Sequence, residues 1–401
     1  MILVTGATGL LGGHLIYDLL QKHEKVAALK RPSASLDTLR EIFSFYTKDP
    51  DQLLDRIEWR TGDLLDKESI VKALDGIDCV INCAAIVSYQ KKDRDRMITN
   101  NVEGTRNLAE AIRTKRQETE DKRRKTAELR LIHISSISAL GDGPGNSTKF
   151  LIDEETPRDP NRKHNGYSIS KYESEKVLTD LGLEAIILNP GIILGPGQWF
   201  KGSSQLFEKA WQGLKYYPYG GTGYVDVRDL TAIIDQVSGV GSPSIAECRG
   251  QRRGPRLRGD DNSSMEPSSI SSLQSAVFSL PSSVPRSSSS SPDLLPRSVR
   301  YCVVGANVRF RDFFNMVTDE YGRPNPTIFA GKFMTQIAWR ADTLRARLAG
   351  RNPFLTRETA EASQHISYYS SAKICNTLNF QFRPIENTID WIATLYKTGR
   401  R

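Results

Sequence analysis

The sequence predicts an α/β protein with a doubly wound parallel sheet, and two patterns carry that prediction. Through the first half of the chain, short apolar segments alternate with longer amphipathic segments, which is the pattern of parallel strands joined by crossover helices. The first apolar segment runs into Thr5-Gly6-Ala7-Thr8-Gly9-Leu10-Leu11-Gly12, and glycines at this spacing are typical of a tight strand-to-helix turn. A sheet of this kind binds its ligand at the carboxyl ends of its strands.

Six strands and five helices are predicted in this half of the chain. The strands are expected at Ile2–Val4, Val26–Leu29, Ile57–Thr61, Cys79–Asn82, Leu131–Ser135 and Ala185–Leu188. The helices are expected at Gly12–Gln21, Ser35–Tyr46, Lys67–Ala73, Asn101–Lys115 and Ser168–Leu181. Right-handed crossovers between these strands produce a Rossmann-type sheet.

The sequence of the second half of the chain predicts a smaller, mostly helical C-terminal substrate lid. Residues 1–194 are assigned to the Rossmann-type domain, and 227–237 and 299–304 return to it with a helix and the strand Tyr301–Val304. Residues 195–226 and 305–401 are assigned to the lid, with helices expected at Ser203–Gly213, Asn307–Tyr321, Phe333–Leu348 and Ile385–Tyr396. Residues 238–298 are rich in serine, and their composition predicts either a disordered insertion or an artefact such as a local frameshift.

Composition excludes several classes of function. No apolar run is long enough for a membrane span, and Met1 begins the first strand, so neither a span nor a signal peptide is expected. The five cysteines are scattered without metal-ligand spacing, which predicts reduced thiols, a cytoplasmic location and no metal. The net charge of +8 is concentrated in Lys122–Lys125 and Arg249–Arg258 without interleaved aromatic residues, which argues against nucleic-acid binding.

Tyr167 and Lys171 are candidates for acid–base chemistry. Four residues apart on a predicted helix, they share one face, and an ammonium near the phenol would lower the tyrosine pKa. The same spacing also occurs on solvated helix surfaces. Ser136 and Ser138 follow the fifth predicted strand, where their hydroxyls either bind a substrate oxygen or stabilise a turn.

The glycine spacing, a serine after the fifth strand and a later Tyr-x-x-x-Lys together resemble the extended short-chain dehydrogenase/reductase superfamily, the NAD(P)-dependent epimerase/dehydratase family. This branch includes nucleotide-sugar epimerases and dehydratases, dihydroflavonol-4-reductase-like enzymes and 3β-hydroxysteroid-dehydrogenase-like enzymes. The resemblance covers nearly the whole chain outside the serine-rich stretch. Further matching segments are Gly62-Asp63-Leu64, Asn82-Cys83-Ala84-Ala85, Asn101 to Thr105, Asn189-Pro190-Gly191, Tyr224 to Asp229, Ser371-Ala372-Lys373 and Trp391.

The resemblance implies a role for each matching residue. Tyr167 is the implied catalytic acid–base, Lys171 holds the nicotinamide ribose, and Ser136, five residues before Gly141, orients the reacting oxygen, with Ser138 as the weaker alternative. The implied cofactor contacts are Gly6, Thr8, Gly9, Leu10, Leu11 and Gly12 around the pyrophosphate, Asp63 and Leu64 at the adenine, Ala84 and Ala85 at the adenosine ribose, Asn101, and Pro190, Ile192 and Ile193 beside the nicotinamide.

The end of the second strand bears on the choice of cofactor. NAD-dependent members usually carry an acidic residue there, which binds the ribose 2′-hydroxyl. This chain has Lys30 and Arg31 instead, and two cations suit a 2′-phosphate. They therefore favour NADP(H), with NAD(H) as the alternative if both cations are simply solvated.

The predicted function is an NADP(H)-dependent oxidoreductase that interconverts a secondary alcohol and a ketone. Related dehydratases place an Asp–Glu pair after the catalytic hydroxyl, whereas Ile137 and Ser138 stand there in this chain. The alternatives are an NAD-dependent nucleotide-sugar epimerase and, from another class, a non-catalytic cofactor-sensing or scaffold protein. The predicted partner is a small molecule, and a homodimer is left open. Aromatic residues between Gln198 and Tyr219 indicate either an apolar, ring-bearing substrate or a simple core.

Overall fold

The alternating segments of the first half fold into a seven-stranded parallel sheet with helices on both faces. A computed structural model describes residues 1–121, 129–239, 298–350 and 353–399, so nearly all of the predicted insertion at 238–298 lies outside the described residues. The strands are β1 Ile2–Thr5, β2 Val26–Lys30, β3 Ile57–Thr61, β4 Cys79–Asn82, β5 Arg130–Ile134, β6 Leu151–Ile152, β7 Ile186–Pro190, β8 Ile192–Leu194, β9 Tyr216–Pro218, β10 Gly221–Asp226, β11 Val299–Val303, β12 Ala306–Arg309, β13 Ile328–Ala330 and β14 Tyr368–Tyr369.

Helices connect and cover these strands. They are α1 Leu10–Lys22, α2 Asp37–Ser44, α3 Pro50–Leu54, α4 Lys67–Ala73, α5 Arg94–Asp121, α6 Gly166–Asp180, α7 Gln205–Trp211, α8 Val227–Ser238, α9 Phe310–Glu320, α10 Lys332–Leu348, α11 Arg357–Ala362, α12 Ala372–Leu378 and α13 Ile385–Thr398. No helix in the described part of the chain is long and apolar enough to cross a membrane.

The order of the main sheet is β11-β7-β5-β4-β1-β2-β3, and every neighbouring pair is parallel. The chain runs outward from β1 through β2 to β3 and then returns to β4 on the other side of β1. A ligand crevice opens at such a switch point, at the carboxyl ends of β1 and β4. The predicted doubly wound α/β fold is confirmed.

Successive side chains of the central strand β1 point to opposite faces of the sheet and belong to two separate cores. Ile2 and Val4 face a core that includes residues of α1, α2 and α8, whereas Leu3 faces residues of α4, α5 and α6. Both faces are apolar because a parallel sheet is covered by helices on both sides.

A third core holds the lid together. It joins Phe207, Tyr224, Phe313 and Tyr396, and the Tyr224 and Phe313 rings stack with their centroids 4.7 Å apart. Of the aromatic residues between Gln198 and Tyr219, Trp199, Phe207 and Trp211 pack in or against this core, while Phe200, Tyr216 and Tyr219 are exposed.

The helix predicted at Asn307–Tyr321 is wrong over its first residues. Ala306–Arg309 forms β12, which pairs antiparallel with β10, and the helix α9 begins at Phe310. The pairing of Asn307 with Gly223 is a contact distant in sequence, and such contacts override local helical periodicity. The short strands β8, β9 and β13 were not predicted from the sequence.

Candidate active site

The turn after β1 brings the backbone against the end of β4. Gly6 adopts a positive φ of 66°, and a Cβ added there would lie 2.6 Å from the Ala84 nitrogen. A Cβ on Gly12 would lie 2.2 Å from the Gly6 carbonyl oxygen. Both positions therefore require glycine, which explains the spacing seen in the sequence.

The amino end of α1 is suited to an anion. Gly9 is its N-cap residue and supplies no side-chain cap to the first-turn amides. Backbone N–H groups left in this way at a helix start, together with the helix dipole, bind phosphate groups. Thr8 and Leu10 are partly accessible, but Leu11 and Gly12 are buried, so these two can reach a pyrophosphate only through their backbone.

The predicted adenosine residues follow two strands of the main sheet, with Asp63 and Leu64 after β3 and Ala84 and Ala85 after β4. The Gly62 amide donates to the Lys30 carbonyl (3.0 Å), which joins the ends of β2 and β3. The Asp63 carboxylate accepts from the Leu65 amide (3.0 Å), and the Asn107 side chain donates to the Leu64 carbonyl (2.9 Å). Ala84 is half-buried and Ala85 is exposed, so both can border a ligand.

The two cations of this edge differ in their surroundings. The Lys30 ammonium lies 5.2 Å from the centre of the Trp59 ring, a cation–π contact between adjacent strands. Arg31 is exposed, and the part of the chain that the structure describes contains no ion pair to either cation.

Ser136 and Tyr167 meet where β5 ends and α6 begins. Ser136 is the N-cap of a 3₁₀ turn, and its Oγ accepts from the Ser138 amide (3.1 Å). Asn165 caps α6 by accepting from the Ser168 amide (2.8 Å), and this starts the helix one residue before Tyr167. The Ser136 side chain lies near enough to the Tyr167 phenol to lower its pKa, and the Tyr89 ring packs edge-on against the Tyr167 ring.

The sequence-based expectation for the Tyr167 pKa is wrong. Burial raises the pKa, and the hydrogen bond with Ser136 offsets only part of that shift. The Lys171 ammonium, expected to lower this pKa, instead donates to the Ile134 carbonyl of β5 (2.8 Å). Removing the phenol from water thus decides the direction of the shift.

The pKa of Lys171 is also strongly shifted. Only 5% of its surface is exposed, and burial lowers its pKa to about 8, against the opposing influence of the Glu175 carboxylate. Within the described ranges the ammonium donates to the Ile134 carbonyl, and it is a strong donor to any hydroxyl placed beside it.

Glu175 is a functional candidate that the sequence reading missed. One turn after Lys171 and buried, its carboxylate accepts from the Ser135 hydroxyl and from the Asn189 amide (2.6 Å). Arg300 Nη1 of β11 lies 3.6 Å from Glu175 Oε2. Burial raises the Glu175 pKa. The carboxylate thus connects α6 to the ends of β5 and β7, and a signal was present in its i+4 spacing from Lys171.

Asn101 connects α5 to two parts of the site. Its side chain accepts from the Ile86 amide (2.8 Å), donates to the Ile86 carbonyl (2.9 Å) and donates to the Ser170 hydroxyl (3.1 Å). It therefore fixes the loop after β4, which carries Ala84 and Ala85, relative to α6. Its position indicates a supporting role behind the cofactor crevice.

The predicted nicotinamide segment spans the step from the main sheet to the lid. Pro190 is the last residue of β7, and Ile192 and Ile193 begin β8, which pairs with β10 of the lid. Farther along, the buried His14 of α1 bonds the Pro196 carbonyl (2.8 Å) and the Tyr46 hydroxyl (2.6 Å). Burial lowers the His14 pKa to about 4, so this histidine is neutral and structural.

Two further sequence motifs are structural anchors. Arg228 binds Asp226 through paired hydrogen bonds and stacks on the Trp391 ring at 3.8 Å. Thr388 also donates to Asp226 (2.8 Å), and Ser371 accepts from the Val304 amide (2.7 Å). These contacts attach α12 and α13 to the strands beneath them.

A parallel sheet in this order with a glycine turn at its switch point defines a Rossmann-type dinucleotide-binding protein. The sequence model of the NAD dependent epimerase/dehydratase family matches residues 2–239, and the chain belongs to this family. The resemblance to the extended short-chain dehydrogenase/reductase superfamily seen in the sequence is confirmed.

Relatives of the chain include both bacterial and plant proteins. The chain is 30% identical over 237 residues to sterol demethylase protein B of Methylococcus capsulatus, covering 58% of this chain and 63% of that protein. It is 26% identical over 242 residues to cinnamoyl-CoA reductase 1 of Petunia hybrida, covering 57% of this chain and 66% of that protein. The matches thus span slightly less than two thirds of each relative. The crystal structure of gox2253 superposes with a TM-score of 0.65 at 22% identity, covering 100% of this chain and 98% of that one, which supports the fold.

Proposed function

We propose that the protein is an NADP(H)-dependent oxidoreductase that interconverts a ketone and a secondary alcohol. The observation that carries this proposal is the juxtaposition of Ser136, Tyr167 and Lys171. The Ser136 side chain lies beside the Tyr167 phenol, while Lys171 lies one helical turn farther along α6 with its ammonium bonded to β5. A phenol, a hydroxyl and a buried ammonium on adjacent elements are the groups needed to hold a carbonyl oxygen and protonate it.

The residues fit the cofactor. The amino end of α1 would accommodate a pyrophosphate, Asp63 and Leu64 would border the adenine, and the buried Lys171 ammonium would donate to the ribose hydroxyls. When bound, the nicotinamide supplies or accepts the hydride. Lys30 and Arg31 favour the 2′-phosphate because charge-assisted bonds to phosphate are strong.

The protonation state of the Tyr167 phenol suits reduction of a ketone. Because burial raises the Tyr167 pKa, the phenol keeps its proton at neutral pH and can donate it from Oη to the substrate oxygen. Ser136 Oγ holds the same oxygen by a hydrogen bond. Lys171 orients the ribose and balances the negative charge that forms when Tyr167 gives up its proton.

The neighbours of Ser136 argue against elimination of water. Ile137 is buried and Ser138 engages its backbone in the 3₁₀ turn, so neither position supplies the acidic pair of a dehydratase. The name of the Petunia relative, cinnamoyl-CoA reductase 1, also favours reduction by this chain over epimerisation.

A coupled screen tests the proposal. Purified protein is offered a panel of ketones and nucleotide sugars with NADPH or NADH, and cofactor oxidation is compared with product by chromatography. We expect one alcohol formed per NADPH oxidised, with the Tyr167→Phe protein as the inactive control. Isomerised sugar without net cofactor consumption would instead identify an epimerase and refute the proposal.

A further inference from the structure

Helix α10 of the lid exposes an apolar face to the outside of the protein. Phe333, Ile337, Leu344 and Leu348 are 81%, 53%, 60% and 81% exposed. They recur at spacings of four, seven and four residues, which places all of them on one side of the helix. In a surface helix of a globular protein this stripe normally faces the core.

The opposite side of α10 is the one that packs on the lid. Thr335 and Ala346 are its buried residues, and they lie about half a turn away from the exposed stripe. Asp342, on this inner side, accepts from the Phe354 amide (2.7 Å) and the Leu355 amide (2.9 Å). The inner face thus carries these small and polar residues together with the partly buried Trp339, and the outer face carries the exposed apolar side chains.

Basic residues border the apolar stripe. Arg340 and Arg347 lie along one edge and Arg345 lies along the other, and all three are exposed. Among the residues that the structure describes, none of the three forms an ion pair. The single acidic residue of α10, Asp342, points inward, so the outer half of the helix is uniformly positive.

The strand before α10 adds two exposed apolar residues near the start of the helix. Ile328 and Phe329 of β13 are 41% and 49% exposed, and the Phe329 ring lies against Gly331 at the start of α10. Single exposed apolar residues are normal on proteins, but several large ones on one face of a helix mark an interaction site.

We propose that α10 lies in the surface of an anionic lipid bilayer, with its apolar stripe among the acyl chains and its arginines at the headgroups. Apolar residues on one face with Lys or Arg along the border are the features of interfacial helices. A two-fold contact between copies would instead bring the same arginine-bordered face against itself, and like charges would oppose that contact. The inference is independent of the proposed reaction.

Vesicle sedimentation tests this inference. The full chain is mixed with phosphatidylcholine vesicles with or without phosphatidylglycerol, and bound protein is measured at low and high salt. We expect binding to the anionic vesicles that weakens with salt. The double variant Arg340→Glu/Arg347→Glu should lose at least roughly tenfold in partitioning, whereas the control Lys48→Glu/Lys176→Glu, with the same change in net charge at exposed sites elsewhere, should keep it.

A second variant tests the apolar stripe. Ile337→Ser/Leu344→Ser changes only exposed side chains, so its melting temperature should match the wild type while its vesicle binding falls. Wild-type protein that stays in the supernatant with both vesicles, or variants that bind as well as wild type, would overturn the proposal. A dimer in sedimentation equilibrium that Ile337→Ser/Leu344→Ser dissociates, without vesicle binding, would assign the face to a second copy instead.

Discussion

The two ends of the candidate site differ in how deeply their charged groups are buried. At the end formed by β5 and α6, Ser136 and Lys171 are 7% and 5% exposed, and the pKa values of Lys171 and Tyr167 are shifted by burial. At the end formed by β2, Arg31 is exposed and Lys30 is partly buried beside Trp59. Interactions are strong in the buried end and screened by water and salt in the exposed end. We therefore expect the buried end to control turnover and the exposed end to control cofactor choice.

The largest effect is expected from Tyr167→Phe. The change removes the transferable proton and keeps the ring, so turnover should fall by about 10²–10⁴-fold while cofactor affinity hardly changes. Tyr172→Phe is the matched control, because that ring lies on the same helix against Arg158. Undiminished turnover of a confirmed substrate by the Tyr167→Phe protein would remove the phenol from the mechanism.

A smaller effect is expected at the exposed end. Lys30→Ser/Arg31→Ser should weaken NADPH binding by roughly tenfold to a hundredfold, an effect that shrinks at high salt, and should change NADH binding little. Fluorescence titration measures both affinities. Lys25→Ser, an exposed lysine before the other end of the same strand, is the control. Wild-type protein that prefers NADH would contradict the proposed cofactor.

Glu175→Gln tests the electrostatics of the buried end. The Glu175 carboxylate raises the Lys171 pKa, so its removal should lower that pKa from about 8, by on the order of one unit. The basic limb of the pH–turnover profile should move to lower pH by the same amount, because Lys171 then loses its proton sooner. Glu173→Gln, on the same helix, should leave the profile in place. An unshifted profile for Glu175→Gln would show that Lys171 does not govern this limb.

The smallest effect is expected from Ser138→Ala. Ser138 is held through its backbone, since its amide donates to Ser136 and its carbonyl accepts from Ser168 (2.7 Å). Turnover should therefore change by less than about threefold, whereas Ser136→Ala should lose roughly tenfold or more with its hydrogen bond to the reacting oxygen. A larger loss in Ser138→Ala than in Ser136→Ala would exchange the two assignments.

Local patterns were sufficient for the parallel sheet and for the turn at its centre. Strands β3 and β4 begin and end at the predicted residues, and Gly6 and Gly12 occupy positions that exclude a Cβ. These features depend on apolar periodicity and backbone sterics, which are properties of short segments. The roles of Ser136, Tyr167, Lys171, Lys30 and Arg31 stay predictions until they are measured.

Tertiary contacts decided what the sequence pattern could not indicate. Ala306–Arg309 became a strand because β10 offered a partner, and Glu175 became a central group because Ser135, Asn189 and Arg300 converge on it. The direction of the Tyr167 pKa shift was likewise set by burial and not by the lysine four residues away. Pairing, convergence and desolvation depend on residues distant in the chain, so they arise only when the chain is folded.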